Sequence, residues 1–364
     1  MSDLRIVFGP DAVTHWATAA ELLVAACAAY DVTAVPVRTA DPAEFAAACR
    51  AAAPDEEFVV VPGAAALPRE VPRRMIRVDF ERCAADRSAG VRTHIRGRGL
   101  AGLRYAVADW YFHRRHPATM LTYGTHPYQR VYLRTPAGPG PFPVAVLLHG
   151  GYWKPWWDSD LMHALAVDLT ARGCATWNVE YRRPAESGWD ATVADVADAF
   201  AALAPAAEAH RLDLDRIAVL GHSAGAQLAL RLAADARGGD LRGGDLRPAA
   251  AVSLAGVLDL RTADRRELGD GAVALALGHR YSPDSAVYRS AAPIDRLPLG
   301  IPQLIVCGLD DEPDLLEFSR NYTDLARTKQ DSVELLELPA DHFAVIDPGS
   351  AIWRRTAQWL MHTL

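Results

Sequence analysis

The sequence is short of lysine and carries no excess of positive charge. Lysine occurs only at positions 154 and 329, and 38 basic residues face 45 acidic ones, which gives a net charge of −7. A chain of this balance has no positive field that would attract nucleic acid or an anionic membrane surface. We therefore expect neither of these partners and expect a small molecule instead.

The chain is also short of cysteine and of long apolar runs. Its five cysteines are an odd number without a Cys-x-x-Cys pair, which indicates neither a disulfide framework nor a zinc site. No stretch reaches the about 18 apolar residues of a membrane span, and no signal-peptide pattern opens the sequence. We expect a cytoplasmic protein with reduced thiols at Cys27, Cys49, Cys83, Cys174 and Cys307.

The composition is that of a globular protein, and the length fits two domains. Half of the 364 residues are hydrophobic and 23% are charged, and domains average about 150 residues. The sequence changes character near residue 120, after an aromatic and basic stretch at 109–117. We therefore predict a smaller domain at 1–115 and a larger one at 120–364.

Both domains are predicted to be α/β, because short β-branched runs alternate with helical patterns along the whole chain. The strands predicted in the first domain are 4–8, 32–37, 58–61 and 75–80, with helices at 17–29, 42–52 and 100–112. The strands predicted in the second are 129–134, 143–149, 174–180, 216–221, 249–255, 302–307 and 333–338. Its amphipathic helices are predicted at 158–172, 190–205, 224–236, 313–328 and 347–363.

A Gly-x-Ser-x-Gly motif, Gly221-His-Ser-Ala-Gly225, stands between a predicted strand and a predicted helix. In such a turn the serine is held in a strained conformation, and a side chain at either glycine would collide with neighbouring backbone. Ser223 is therefore the candidate nucleophile. The context makes a purely structural turn the weaker interpretation.

A second motif can supply the donors that such a nucleophile needs. The predicted strand at 143–149 ends in His149-Gly-Gly-Tyr-Trp153. Backbone amides just beyond a strand end can point at an anion. We predict that the amides of Gly150, Gly151 and Ala224 form an oxyanion hole.

The general base is sought among twelve histidines. His342 stands in a loop that follows the predicted strand 333–338, whereas most of the others lie within motifs or helices. The acid that orients it should follow the preceding strand, and Asp311 is our choice there, with Asp310 and Asp314 left open. The chain order serine, aspartate, histidine is the order of a known hydrolase fold.

These motifs carry a resemblance to a known fold. Residues 123–364 resemble the α/β-hydrolases, and His149–Trp153, the lead-in Tyr123–Gln129 and the pair His342-Phe343 resemble the kynurenine formamidase (arylformamidase) branch. The resemblance implies that Ser223 attacks the carbonyl of an N-formyl aryl amine or a related small amide or ester. His342 would carry the proton and Asp311 would hold its tautomer, with no cofactor or metal. An esterase, thioesterase or cyclase of secondary metabolism on the same triad is the alternative.

Two further stretches concern the substrate. Four aromatic residues follow the oxyanion motif and could form a wall that stacks an aryl group, or could simply pack a cap. These are Tyr152, Trp153, Trp156 and Trp157. The irregular, polar stretch 260–298 is predicted to lie over the site.

The first domain resembles type II dehydroquinase. The resemblance rests on Phe8–Asp11, Val61–Ala64, Ala89–Val91 and Gly97–Tyr105. The family's lid is missing between Asp11 and Thr18, and Asp79 stands where the family has its catalytic histidine. The resemblance and its gaps imply a degenerate domain that serves assembly, in a homo-oligomer, or covers the hydrolase site.

Two further stretches of the sequence are rich in glycine. Gly97–Gly102 matches Gly-x-Gly-x-x-Gly, but we reject nucleotide binding because the helix that follows ends the domain. The sequence RGGDL occurs twice in succession within 237–246 and is predicted to form a surface loop.

Overall fold

The computed structural model describes residues 3–53, 55–68, 74–86, 88, 90–239 and 246–364. The chain divides into two compact units, Met1–Pro117 and Ala118–Leu364. Residues 240–245 of the RGGDL duplication lie outside the described residues. Within the described ranges no helix is long and apolar enough to cross a bilayer. All five cysteines are described, and all are free thiols.

The first unit is a five-stranded parallel sheet flanked by helices. Its strands are β1 (Leu4–Phe8), β2 (Ala34–Arg38), β3 (Phe58–Val61), β4 (Met75–Asp79) and β5 (Val91–Arg96). Its helices are α1 (Trp16–Ala28), α2 (Pro42–Arg50) and α3 (Gly102–Arg115). The strand order β2-β1-β3-β4-β5 is that of flavodoxin-like sheets. The predicted α/β class is confirmed for this unit.

Both faces of this sheet are covered at its centre, which explains why β3, the central strand, reads as a continuous apolar run. Ile6 and Val59 pack in one cluster with residues of α1 and α3. Val7 and Val60 point to the opposite face, where Phe45 of α2 meets them. The glycine-rich turn 97–102 follows β5, the last strand of the sheet, so no further strand of this unit follows α3.

The second unit is built on an eight-stranded mixed sheet. Its strands are β6 (Thr119–Thr122), β7 (Arg130–Arg134), β8 (Phe142–Leu148), β9 (Ala175–Glu180), β10 (Leu212–His222), β11 (Ala250–Leu254), β12 (Gln303–Gly308) and β13 (Val333–Leu338). The order is β13-β12-β11-β10-β8-β9-β7-β6. Strands β13 to β9 are parallel, whereas β7 pairs antiparallel with both β9 and β6. The predicted α/β class is confirmed here as well.

Ten helices described in this unit connect the strands. They are α4 (His163–Ala171), α5 (Pro184–Ser187), α6 (Trp189–Ala201), α7 (Leu203–His210), α8 (Ala224–Gly238), α9 (Leu260–Arg265), α10 (Leu268–Leu277), α11 (Ala286–Ala291), α12 (Pro313–Thr328) and α13 (Ala351–Thr363). The predicted helix 190–205 is in fact two helices, α6 and α7. A proline deep in a helix would clash with the carbonyl four residues earlier, so the chain starts a new helix that holds Pro205 in its first turn.

Candidate active site

The candidate residues of the second unit follow the carboxyl ends of neighbouring parallel strands. The oxyanion motif follows β8, and Ser223 follows β10. Asp311 lies just after β12, and His342 lies after β13. Because parallel strands end at the same edge of a sheet, these loops meet there.

Ser223 stands at a strained turn between β10 and α8. Its φ of 54° and ψ of −117° are sparsely populated for a residue with a side chain. A Cβ atom on Gly221 would lie 2.0 Å from the carbonyl oxygen of Gly225. A Cβ atom on Gly225 would lie 2.1 Å from the carbonyl oxygen of Leu148. Both glycines are therefore required by close backbone approach, as the motif predicts.

His342 is oriented by a carboxylate. Its Nδ1 lies 2.9 Å from Oδ2 and 3.1 Å from Oδ1 of Asp311. A carboxylate accepts hydrogen bonds, so Nδ1 carries the proton and Nε2 keeps its lone pair. Of the three candidate acids, the structure brings Asp311 to the imidazole, whereas Asp310 is exposed and Asp314 binds Arg266.

The hydroxyl of Ser223 donates no hydrogen bond to His342 within the described residues. Catalytic hydrogen bonds are often long in unliganded enzymes and tighten when the substrate binds. The two segments are instead joined through His222, whose Nε2 lies 3.0 Å from the carbonyl oxygen of His342.

Three backbone amides lie at or next to the turn that carries Ser223, and none of them has a hydrogen-bond acceptor among the described residues. In the described part of the chain, the amides of Gly150, Gly151 and Ala224 donate to no protein group. Ala224 is the first residue of α8, where the helix dipole favours negative charge. A Cβ atom on Gly150 would lie 3.0 Å from Cβ of Ser223. The loop 149–153, called the oxyanion loop, therefore packs directly on the turn at Ser223. This arrangement can hold an oxyanion.

A network of buried charged and aromatic residues packs against the oxyanion loop. The ring of His149 stacks on Tyr181 at 4.4 Å, and the Tyr181 hydroxyl donates to the carbonyl of His149. Arg183, fully buried, donates to Glu180 and to the carbonyl of Trp157. Burial alone raises the pKa of Glu180, but the charge of Arg183 and the neighbouring imidazole of His149 outweigh it and hold that pKa well below its usual range.

Glu180 and Arg183 lie outside every motif recognised in the sequence. A signal was present, because Glu180 closes an otherwise uncharged strand and an Arg-Arg pair follows almost at once. Charged residues are almost never fully buried unless they are paired. A charged residue at the end of a central apolar strand could therefore have been predicted to meet a buried partner.

The four aromatic residues do not form one wall. Trp153 packs in the core, 3% exposed, with its ring edge-on to Trp189 and its Nε1 donating to Gln227. With its polar atom bonded to Gln227 and only 3% of its surface exposed, Trp153 offers little surface to the substrate that it is predicted to contact. Trp157 lies against Gly151, where a Cβ atom would come within 2.3 Å of the indole.

The ring centroids of Tyr152 and Trp156 lie 5.8 and 5.7 Å from the ammonium group of Lys154. The same ammonium donates to the carbonyl of Gly269, at the start of α10. Burial raises the pKa of Tyr152, and the carboxylates of Glu312 and Asp311 raise it further. The segment 260–298 therefore reaches the oxyanion loop, and Tyr152 lies near the acid that orients His342.

One group in the first unit has residue types that bind metals. The ligand atoms of Asp79, Cys83 and His94 all lie within 4.8 Å of one another. Nδ1 of His94, however, accepts the amide of Asp86, so Nε2 bears the proton and donates to Asp79. Asp79 is also bound by Arg77. A metal ion needs the lone pair of Nε2, so this group does not fit one.

Comparison with known proteins identifies similar chains. The BD-FAE family model matches residues 131–314, half of the chain. A solved structure entitled "Bacterial Heroin Esterase" is 25% identical, with a TM-score of 0.53 over 64% of this chain and 78% of that one. The esterase LipW from Mycobacterium marinum is 27% identical, with a TM-score of 0.58 over 71% of this chain and 85% of that one.

A thermophilic esterase from Thermogutta terrifontis shares the fold, with 19% identity and a TM-score of 0.53. The match covers 66% of this chain and 91% of that one. No curated protein matches the chain by sequence.

Proposed function

The chain belongs to the BD-FAE family of α/β-hydrolases, and we propose that it cleaves a small ester or amide through an acyl-enzyme on Ser223. The observation that carries this proposal is the His342–Asp311 pair. It occupies Nδ1 and leaves Nε2 as a base at the sheet edge where Ser223 is presented.

The proposed reaction uses these groups in two steps. Oγ of Ser223 attacks the substrate carbonyl carbon while Nε2 of His342 takes the hydroxyl proton, and Asp311 stabilises the imidazolium. The carbonyl oxygen becomes an oxyanion held by the amides of Gly150, Gly151 and Ala224. The intermediate collapses, and the leaving amine or alcohol takes the proton from His342. Water then attacks the acyl-enzyme by the same route and releases the acid.

We propose an aromatic leaving group and a small acyl group, with an N-formyl aryl amine as the first candidate. Tyr152, Trp156 and Trp157, close to the oxyanion glycines, are the proposed contacts of the aryl ring. Aromatic side chains offer large apolar faces at low entropic cost. The predicted resemblance to arylformamidases supports the formyl group.

An aryl ester is the second candidate, supported by the two esterases that are 25% and 27% identical. A matched pair decides between the candidates: formanilide and phenyl formate share the formyl group and the ring and differ only in the leaving atom. For each substrate, kcat/KM is divided by the rate constant of the hydroxide-catalysed hydrolysis of the same substrate. A larger quotient for formanilide supports the formamidase, and a larger quotient for phenyl formate supports the esterase.

The covalent step is tested separately with a fluorophosphonate probe and peptide mass spectrometry. We expect one adduct, on Ser223, that is absent from Ser223→Ala. An unlabelled Ser223 in active-site titrations would favour a different role, in which the first unit binds a ligand and the second unit is vestigial.

For the first unit we propose a degenerate dehydroquinase-like scaffold that assembles the protein into a homo-oligomer. Asp79 is bound by Arg77 and His94 and is not available as a base. Light scattering of the full chain gives the oligomer size, and a monomer would contradict the assembly role. Dehydroquinate dehydration by the full chain would contradict the degenerate state. The cytoplasmic location remains a prediction.

A further inference from the structure

His222, the residue before the nucleophile, is enclosed at the meeting point of three segments. Its side chain is 1% exposed. Its ring lies 4.7 Å from the ring of His342, and its Nε2 lies 3.0 Å from the His342 carbonyl oxygen. A Cβ atom on Gly150 would lie 2.8 Å from its Nδ1. The imidazole therefore contacts both the loop that holds Gly150 and the loop that carries the base.

The surroundings of His222 select one protonation state. A carbonyl oxygen can only accept, so Nε2 carries a proton and donates it to His342. Burial, and secondarily the nearby charge of His342, hold the pKa of His222 well below its usual range. In the neutral ring Nδ1 carries a lone pair, and within the described residues it has no hydrogen-bond partner. The ring is therefore a neutral donor with a fixed direction.

We propose that His222 is a positioning residue for the hydrolysis, because its Nε2–H bond fixes the main chain of His342 relative to Ser223. The donor sits one residue before the nucleophile, and the acceptor is the carbonyl of the base itself. One hydrogen bond thus joins the two segments whose separation governs proton transfer. This inference rests on the proposed function, since it assumes that Ser223 and His342 react together.

Three variants distinguish the effect of losing the hydrogen-bond donor from the effect of losing the volume of the ring. His222→Phe keeps a ring of similar size and removes the donor. His222→Gln places an amide nitrogen where Nε2 stood, and His222→Ala removes both. We expect kcat of His222→Phe to fall by about 10²-fold, because a displacement of about 1 Å has this effect on a reacting pair. We expect an unchanged KM and a largely restored kcat in His222→Gln.

His163→Phe is the matched control. His163 is a buried histidine of the same unit, at the start of α4, where it contacts Tyr132. We expect its kcat to match that of the wild type, and thermal unfolding of all variants confirms that each is folded.

An unchanged kcat in His222→Phe overturns the proposal, as does an equal loss in His222→Phe and His222→Gln. A rise in KM at constant kcat also overturns it. Labelling of wild-type Ser223 by the fluorophosphonate tells this failure apart from a failure of the proposed function. If the wild type is labelled and hydrolyses substrate, only the role of His222 is in question.

Discussion

Each unit of the molecule contains a histidine bound to an aspartate, but the two pairs are opposite in their chemistry. In the second unit Asp311 binds Nδ1 of His342 and leaves Nε2 free for proton transfer. In the first unit Asp79 binds Nε2 of His94, and the amide of Asp86 occupies Nδ1. Neither nitrogen of His94 is available.

The neighbouring thiol strengthens this contrast. Sγ of Cys83 lies 3.9 Å from Nε2 of His94, the same nitrogen that Asp79 holds. Burial and the charge of Asp79 raise the pKa of the Cys83 thiol, which keeps it in its unreactive protonated form. The residue types of a cysteine-histidine-aspartate triad are therefore present without its geometry. A histidine bound to a carboxylate can act as a base only when its second nitrogen keeps an unused lone pair, which is the case for His342 and not for His94.

The largest expected effect comes from removing the nucleophile. We expect Ser223→Ala to lower kcat by about 10⁶-fold, as in other serine hydrolases. Cys83→Ala, in the first unit, should leave kcat unchanged. Steady-state hydrolysis of phenyl formate measures both, and a loss in Cys83→Ala would show that the first unit takes part in catalysis.

The next effect compares the two carboxylates directly. Asp311→Asn should lower kcat by about 10⁴-fold, because an amide favours the wrong tautomer of His342. Asp79→Asn should leave hydrolysis unchanged, since His94 does not serve the reaction. The same assay measures both variants. Equal activity of the two would remove the distinction between the pairs.

A smaller effect concerns the buried charges behind the oxyanion loop. Glu180→Gln leaves the buried Arg183 without its main countercharge, so the free energy of unfolding of the second unit should fall by about 3–5 kcal/mol. The control, Glu317→Gln, removes an exposed partner of Arg266 and should cost about 1 kcal/mol or less. Hydrogen exchange of peptides from 142–183 measures the local stability. Similar protection in both variants would contradict the structural role of Glu180.

The smallest effect depends on pH in the first unit. Burial raises the pKa of Asp79, but the hydrogen bonds from His94 and Arg77 outweigh it and lower the pKa. A lowered pKa in the folded state stabilises the protein above the ordinary aspartate value and ceases to do so as the pH falls through the folded value. Asp79→Asn should therefore destabilise β4 by about 1 kcal/mol at pH 7, and this difference should vanish well below pH 4, roughly the pKa of an unfolded aspartate. Hydrogen exchange of β4 in the wild type and in Asp79→Asn, at pH 7 and again well below pH 4, measures this difference in stability.

The sequence predicted the elements whose residues are apolar at a regular period. The bounds of β1, β3, α12 and β13 agree with the predicted ranges, and the turn at Ser223 could be predicted because steric rules restrict its glycines. Strand β5 was not predicted, although Arg92, His94 and Arg96 alternate with less polar residues as in a half-buried strand. In the fold Arg92 is compensated by Glu57 and Asp109, which lie far away in the sequence.

The parts of the site that could not be predicted depend on long-range contacts. Sequence alone left three aspartates open because the loop after β12 has no periodicity that fixes its register. Trp153 could not be distinguished from its neighbours, because its inward direction depends on Trp189 and Gln227. The contact between His222 and His342 likewise joins residues that are 120 positions apart in the sequence.

The oxyanion loop continues into two adjacent residues with positive φ, Tyr152 at 51° and Trp153 at 55°. Each such residue with a side chain costs about 1–2 kcal/mol. Glycine at position 152 would relieve part of this strain but would also remove a proposed substrate contact. In protein engineering, a substitution at this position would therefore change the backbone strain and the proposed substrate contact together.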